Sequence, residues 1–377
     1  MAEPLRVLFL INNAVDYGGA ERFAVGLATH LPSSRFKVWM CTTRDTDPVA
    51  LRALTAAGVT HVHLGRRTKW DIHRFAPLVS LLRRERIEIL HAHMFGSNLW
   101  GCLLGRPCRV PVIIAHEQTW SYQGQPLRRW IDGHVIGRLA TRFVAVSTAD
   151  AARMVSVEGV PAEKVVMIPN AYVPRPEAPS GNLRDELGIG AGIPLTTVVS
   201  VLRPQKALGV MLEAHARVLD TLPDAHLAIA GDGPSRDFLE HRARELGLDG
   251  SVHFLGHRRD IDSILRAGDV AAMSSDYEGT PLVAFECMAN LTPLVATAVG
   301  GLPDIVDNGR TGLLVSPRQP GALADALLSV LEDRKLGEQL AAAAAARASE
   351  FTIQAITARF AALYEQLATE SNLPRGT

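Results

Sequence analysis

The sequence predicts an α/β protein built from two doubly wound, Rossmann-like domains, and three observations lead there. Short, β-branched apolar runs alternate with helix-length segments from one end to the other. A proline-rich interruption near Pro174 separates two stretches of the same pattern. The 377 residues also exceed the roughly 250–300 at which one hydrophobic core stops growing.

In chain order the strand-like runs of the first half are "LRVLFLINN", "FKVWMCTT", "THVHLG", "IEILHAH", "VPVIIAH", "RFVAVS" and "VVMIP". Helical spacing such as that of "AERFAVGLATHL" fills the intervals. Runs this apolar suit parallel strands covered on both faces. The segment "NAYVPRPEAPSGNLRDELGIGAGIP" follows, in which Pro174, Pro176, Pro179, Ser180 and Gly181 sustain neither helix nor central strand, so the linker falls there. The alternation then restarts with "PLTTVVSV", "HLAIAG", "VHFLG", "DVAAMSS", "PLVATAV" and "TGLLVS". The expected domains are residues 1–172 and 173–350. The tail from about Glu338 to Thr369, with its run Ala341–Ala346, has the propensity of a helix.

Composition narrows the class. Hydrophobic residues at 47% and charged residues at 21% are ordinary for a soluble globular chain. Met1–Asn13 opens as a strand rather than a secretory signal, and apolar runs break well before the ~20 residues that a membrane span requires. Cys41, Cys102, Cys108 and Cys287 show no CxxC spacing, which fits a reducing cytoplasm. Residues 1–170 hold 21 Lys and Arg against 13 Asp and Glu, and the remainder 18 against 26. Zero net charge disfavours non-specific nucleic-acid binding, while the basic first half suits an anionic surface.

Two such domains imply a cleft along the carboxyl ends of their sheets, so chemistry belongs in the loops that follow strands. "NNAVDYGGAER" places Gly18 and Gly19 ahead of a helix, open to an anion or simply a tight turn. His116 ends "VPVIIAH". His91 and His93 share a strand face, as do His61 and His63, yet no third metal ligand declares itself. "VVSVLRPQKALGV" sets Arg203 and Lys206 before a helix, where the dipole favours anions, so two cations there point to a bound phosphate. In "SSDYEGTPLVAFECMAN", Glu278 and Gly279 lie in a loop, Thr280 is the expected N-cap and Pro281 the first helical residue, with Leu282 following. Glu286 lies among Leu282, Val283, Phe285 and Met288, where an acid needs hydrogen-bond donors, and a ribose diol offers two. Gly300 and Gly301 in "AVGGLPDIV" read as further anion-binding amides or as an ordinary turn.

Jointly "GGAE", "VIIAH", "VMIPNAYV", "LRPQKALGVMLEA", "AIAGDGP", "HFLGHRRDI" and the E-x7-E stretch "EGTPLVAFE" resemble the retaining GT-B glycosyltransferases of family 4, glycosyl transferases group 1. The resemblance runs over nearly the whole chain. It implies an acceptor-binding first domain, a nucleotide-sugar-binding second domain, and a last helix, residues 351–377, that returns to the first. By position it implies Lys206 on the donor diphosphate, Glu278 on the transferred sugar, Glu286 on the ribose, Gly18 and Gly19 near the phosphates, and His116 toward the donor sugar. Gly279, Thr280, Pro281 and Leu282 line the donor. The family's G-R-L-x-x-x-K-G reads here Ser200 to Ala207, with Val201 in place of arginine, Ala207 in place of glycine, and Arg203 two residues beyond the usual arginine.

The expectation is therefore transfer of a sugar from a nucleoside diphosphate sugar, with UDP favoured by family usage, to the hydroxyl of a glycan, glycolipid or small molecule. Cell-envelope polysaccharide or other glycoconjugate synthesis is the setting expected for it. No cofactor and no catalytic metal are expected, since the acidic pair Asp45 and Asp47 lies far along the chain from the donor motifs. A nucleotide-sugar epimerase or a phosphorylase of the same fold, and a catalytically silent nucleotide-sugar-binding subunit, are the competing readings. Trp120, Tyr122 and Trp130 with Arg128, Arg129, Arg138 and Arg142 suggest either a peripheral membrane contact or an ordinary amphipathic helix.

Overall fold

The computed structural model describes residues 3–15, 18–68, 70–118, 125–175 and 181–371. Two compact units result, one of Met1–Val173 with Phe351–Thr377 and one of Pro174–Glu350. Pro176, Pro179 and Ser180 of the expected linker lie outside the described residues.

The first unit holds a parallel sheet of β1 (Leu5–Ile11), β2 (Phe36–Thr42), β3 (Thr60–His63), β4 (Ile89–His93), β5 (Val112–His116), β6 (Arg142–Ala145) and β7 (Val165–Met167). Its order is β3-β2-β1-β4-β5-β6-β7. Alternation along β1 explains why the run is apolar throughout. Val7, Phe9 and Ile11 enter one core, and Leu8 and Leu10 enter the other on the opposite face.

The second unit holds β8 (Leu195–Val199), β9 (His226–Ala230), β10 (Val252–Gly256), β11 (Val270–Met273), β12 (Leu294–Thr297) and β13 (Leu313–Val315), also parallel, in the order β10-β9-β8-β11-β12-β13. In both sheets the chain order reverses beside the first strand, between β1 and β4 and between β8 and β11. Loops leaving the carboxyl ends of such neighbours diverge and open a crevice. The strands thus follow the sequence runs one for one.

The tail differs from the single helix expected. A helix spans Arg334–Arg347, a 3-10 turn covers Ala348–Phe351, and a second helix spans Ile353–Glu370. Thr352 breaks the run: its backbone is extended and its hydroxyl accepts from the Ala355 amide, capping the second helix. Leu340, in the first of these helices, joins the core of the second unit, so the Ala341–Ala346 run lies there. Ile356, Phe360, Tyr364 and Leu367 pack into the first unit's core beside Val7 and Phe9.

Candidate active site

In the second unit the loop after β8 closes as one 3-10 turn, Pro204–Lys206, before the helix Leu208–Thr221. Ala207 joins the two at φ 47°, ψ 39°, the left-handed region that favours glycine. The loop after β11 lies against this turn. The Ser274 hydroxyl donates to the Lys206 carbonyl at 2.9 Å and the Asp276 amide to the Gln205 carbonyl at 2.8 Å. Backbone pairing of the two loops brings Lys206 Nζ to 2.6 Å from Glu278 Oε1, and the Ser275 hydroxyl donates to the same oxygen at 2.6 Å. Glu278 is buried, and its Oε2 accepts no hydrogen bond among the described residues. Arg203, by contrast, is exposed and forms no ion pair among them. Burial raises the Tyr277 phenol above its ordinary value against the opposing charge of Arg203.

Two expectations at this loop require correction. The helix begins at Leu282 with Pro281 as N-cap, not at Pro281 with Thr280 as cap, because Pro281 keeps an extended ψ of 126°. No side chain among the described residues caps this helix, so the Leu282 and Val283 amides and the positive end of its dipole stay available to an anion, while the Ala284 amide donates to the Pro281 carbonyl at 3.2 Å. The Gly301 amide does not join them, since it donates to the Gly279 carbonyl at 2.7 Å. Gly300, at φ 55°, passes so close that a Cβ there would meet the Glu278 carbonyl oxygen at 1.8 Å. This glycine turn braces the Glu278 loop.

Glu286 is 1% exposed inside its helix, and the Arg175 guanidinium donates to its Oε1 at 3.0 Å. That contact explains how an acid is tolerated among apolar neighbours. Arg175 stands in the proline-rich segment, where sequence pattern carries no hint of it. Thr280, Pro281 and Leu282 are buried beside the loop.

Gly18, Gly19 and His116 belong to the first unit. Gly18 is the N-cap of the helix Gly19–His30, and the Glu21 carboxylate lies over it, so this helix start already faces an acid of its own. Asp16 and Tyr17 of the same loop fall outside the described residues. His116 is fully buried, and Asn98 clamps its backbone, accepting from its amide at 3.1 Å and donating to its carbonyl at 3.2 Å.

The parallel register sets His93 beside His116 and leaves His91 on the same face. The ligand atoms of the three rings lie within 4.8 Å of one another, so a third histidine does join the pair. The three rings also pack against one another. The rings of His91 and His93 stack at 4.3 Å with 29° between planes, and those of His91 and His116 lie within 7° of parallel. The His91 and His116 rings meet edge to edge, with Nε2 of the first 3.1 Å from Nδ1 of the second, so these two nitrogens engage each other. Burial pulls all three below the ordinary histidine value, His93 to about 3, and keeps them neutral.

Residues 17–174 match the model described as Glycosyltransferase Family 4, and residues 180–347 match Glycosyl transferases group 1. The D-inositol 3-phosphate glycosyltransferase of Corynebacterium glutamicum is 30% identical, over 95% of this chain and 94% of its own. The chain belongs to glycosyltransferase family 4. An Escherichia coli relative, UDP-Gal:alpha-D-GlcNAc-diphosphoundecaprenol alpha-1,3-galactosyltransferase, is 26% identical over 71% of this chain and 72% of its own. The crystal structure of Anabaena HepE with UDP-glucose superposes with a TM-score of 0.82 at 22% identity, covering 96% of this chain and 100% of that one, a likeness of GT-B fold. This family 4 glycosyltransferase is accordingly an enzyme that transfers glycosyl groups.

Two outcomes test the local physics. Ala207→Gly removes the strain of an L side chain at positive φ, about 1–2 kcal/mol, less the extra unfolded-state freedom of glycine. A net gain of roughly 0.5–1 kcal/mol in urea unfolding is expected, and a loss would contradict the left-handed geometry. The neutral histidines make a second. Unfolded, each takes a proton near pH 6.5; folded, each does so only well below. Stability is thus highest above that pH and falls as pH drops below about 6.5, by up to about 1.4 kcal/mol per pH unit per histidine. Urea midpoints at pH 7.5 and 5.5 should differ in that direction, and equal midpoints would remove the neutral cluster.

Proposed function

We propose that this enzyme moves a sugar from a nucleoside diphosphate sugar, with UDP as the nucleotide, to an acceptor hydroxyl with retention at the anomeric carbon. The observation that carries this reading is the Lys206–Glu278 contact, held where the second sheet reverses its order. As the bond between the anomeric carbon and the diphosphate oxygen breaks, negative charge grows on the leaving group and the sugar becomes oxocarbenium-like. Fixed positive potential at the phosphates then supplies the largest stabilising term. The Lys206 ammonium has three N–H groups, of which one engages Glu278 and two remain for phosphate oxygens. The uncapped amides of the Leu282 helix add to that potential, and exposed Arg203 is a second cation within the same loop.

Glu278 Oε2 takes a hydroxyl of the transferred sugar, with Lys206 and Ser275 fixing the carboxylate through its other oxygen. Glu286 takes the ribose diol while Arg175 steadies it. His116 meets the transferred sugar, and Gly18 and Gly19 approach the phosphates. UDP is supported by the UDP-glucose in the HepE crystal and by the UDP-Gal donor named for the Escherichia coli relative. That relative's lipid-diphosphate acceptor supports a glycolipid or cell-envelope glycan as acceptor here. No metal enters the reaction as written, because Lys206 and the helix amides meet the diphosphate charge.

UDP release from UDP-sugars in EDTA, with NMR of the anomeric product, tests the reading. Lys206→Ala should lose about 2–4 kcal/mol of transition-state stabilisation, a loss of roughly 30-fold to 800-fold in turnover. Wild-type turnover in that variant, an inverted product, or activity that vanishes in EDTA would each overturn its part.

The basic first unit also carries a surface suited to an anionic membrane. No helix among the described residues is long and apolar enough to cross a membrane. Leu127 and Trp130 are 69% and 53% exposed, and Trp130 lines a shallow depression with Arg129, His134 and Val157. Arg138 is exposed nearby in sequence, whereas Arg142 is held by Glu370 and Arg128 packs over Phe95. Trp120 and Tyr122 lie outside the described residues. An aromatic with flanking arginines seats at a lipid headgroup boundary. Sedimentation with phosphatidylglycerol vesicles at low salt should capture the protein and Trp130→Ala should weaken it; no capture would exclude the membrane.

A further inference from the structure

The buried histidines continue into a chain of hydrogen bonds that the proposed reaction has not yet used. Tyr364 Oη lies 2.6 Å from His91 Nδ1, His91 Nε2 lies 3.1 Å from His116 Nδ1, and His116 Nε2 lies 3.2 Å from the Gln118 amide nitrogen. Tyr364, His91 and His116 are fully buried and Gln118 nearly so.

Only one direction of donation gives the Tyr364 hydroxyl proton an acceptor among the described residues. The Tyr364 hydroxyl has a single hydrogen-bond partner among the described residues and sits among Phe36, Phe360 and the imidazoles. Burial keeps the phenol protonated, so its O–H donates to His91 Nδ1. A neutral imidazole that accepts at Nδ1 carries its proton on Nε2. His91 therefore donates from Nε2 to His116 Nδ1, and His116 in turn carries its proton on Nε2. The reverse direction leaves the phenol proton with no acceptor in an apolar core. The Gln118 amide fits the same order once its oxygen and nitrogen exchange places, which gives its otherwise unpartnered Oε1 the His116 N–H.

We infer that Tyr364, on the C-terminal helix, acts through His91 as a positioning residue that fixes His116 in the Nε2–H form, so that the ring presents a hydrogen-bond donor. The role of that donor rests on the reading of His116 as the group that meets the transferred sugar; the tautomer itself does not. A donor at that nitrogen suits a sugar hydroxyl oxygen, which Gln118 Oε1 replaces when no sugar is bound.

The test uses the full-length enzyme with 15N-labelled histidine. Long-range proton–nitrogen spectra distinguish a protonated ring nitrogen from a bare one. In the wild type, His91 and His116 should both show a bare Nδ1 and a protonated Nε2. Tyr364→Phe retains the ring and removes only the hydroxyl; His116 should then show a mixture of tautomers. Turnover should fall about 10-fold to 100-fold, by analogy with the loss when the hydrogen-bond partner that orients a metal-ligating histidine is removed, with UDP affinity unchanged. His91→Gln, whose amide also accepts on one side and donates on the other, should keep more turnover than His91→Ala. A protonated Nδ1 on wild-type His116, or an unchanged His116 tautomer in Tyr364→Phe, would overturn the inference. If the tautomers agree but His116→Ala turns over normally, the relay stands and the sugar role of His116 fails.

Discussion

The candidate site in the second unit of this glycosyltransferase depends on one contact, the ammonium of Lys206 against the carboxylate of Glu278 at 2.6 Å. The partners come from loops 72 residues apart in sequence, and both loops leave strands that flank the reversal of the second sheet. Each charge makes the other's burial tolerable, since an isolated ion there would be strongly penalised. The backbone bonds from Ser274 and Asp276 to the Pro204–Lys206 turn set the approach, and Gly300 and Gly301 hold the Glu278 loop from the other side. Ala207 shows the same hierarchy. A local preference for negative φ yields to a turn whose position the neighbouring loops determine.

Much of this was legible in the sequence. Continuous apolar runs such as "FKVWMCTT" and "PLVATAV" mark strands buried on both faces, because period and composition are local properties. Glu278, Lys206 and Glu286 stood out by loop placement and by family motif, and the meeting of Lys206 with Glu278 follows from the topology of a doubly wound sheet. Arg175 was not legible. Its partner lies 111 residues away, and a cation in a proline-rich segment resembles any solvated linker charge. Thr280 misled because a good capping residue beside a proline describes a propensity, whereas the extended ψ of Pro281 moves the helix start by one position.

The histidines show where pattern reading stops. Alternation along β4 pairs His91 with His93, but the third ring comes from β5 through the register that sets His93 beside His116. Register is a property of two strands and cannot be read from either alone. Asn98 escaped notice similarly, as a polar residue beside Ser97 in an otherwise apolar helix. Its two bonds to the His116 backbone show that the ring is anchored at its main chain as well as along its nitrogens.

Neutrality and order in this cluster have one cause. Fully buried imidazoles without a carboxylate partner stay uncharged, and an uncharged imidazole has one proton to place and two nitrogens to place it on. In water the two tautomers interchange freely, so a histidine at a strand end would present a donor and an acceptor by turns. Here the choice passes to the nearest group with no freedom of its own, the hydroxyl of Tyr364, which has to donate. The terminal helix therefore does more than complete a core. Thr352 restarts it after the Ala-rich segment, Phe360 and Leu367 seat it against β1 and its neighbours, and that seating brings the phenol to His91. A helix held only by its apolar face would tolerate phenylalanine at residue 364, because the ring fills the same space. The proton order of His116 is the property that distinguishes the two side chains.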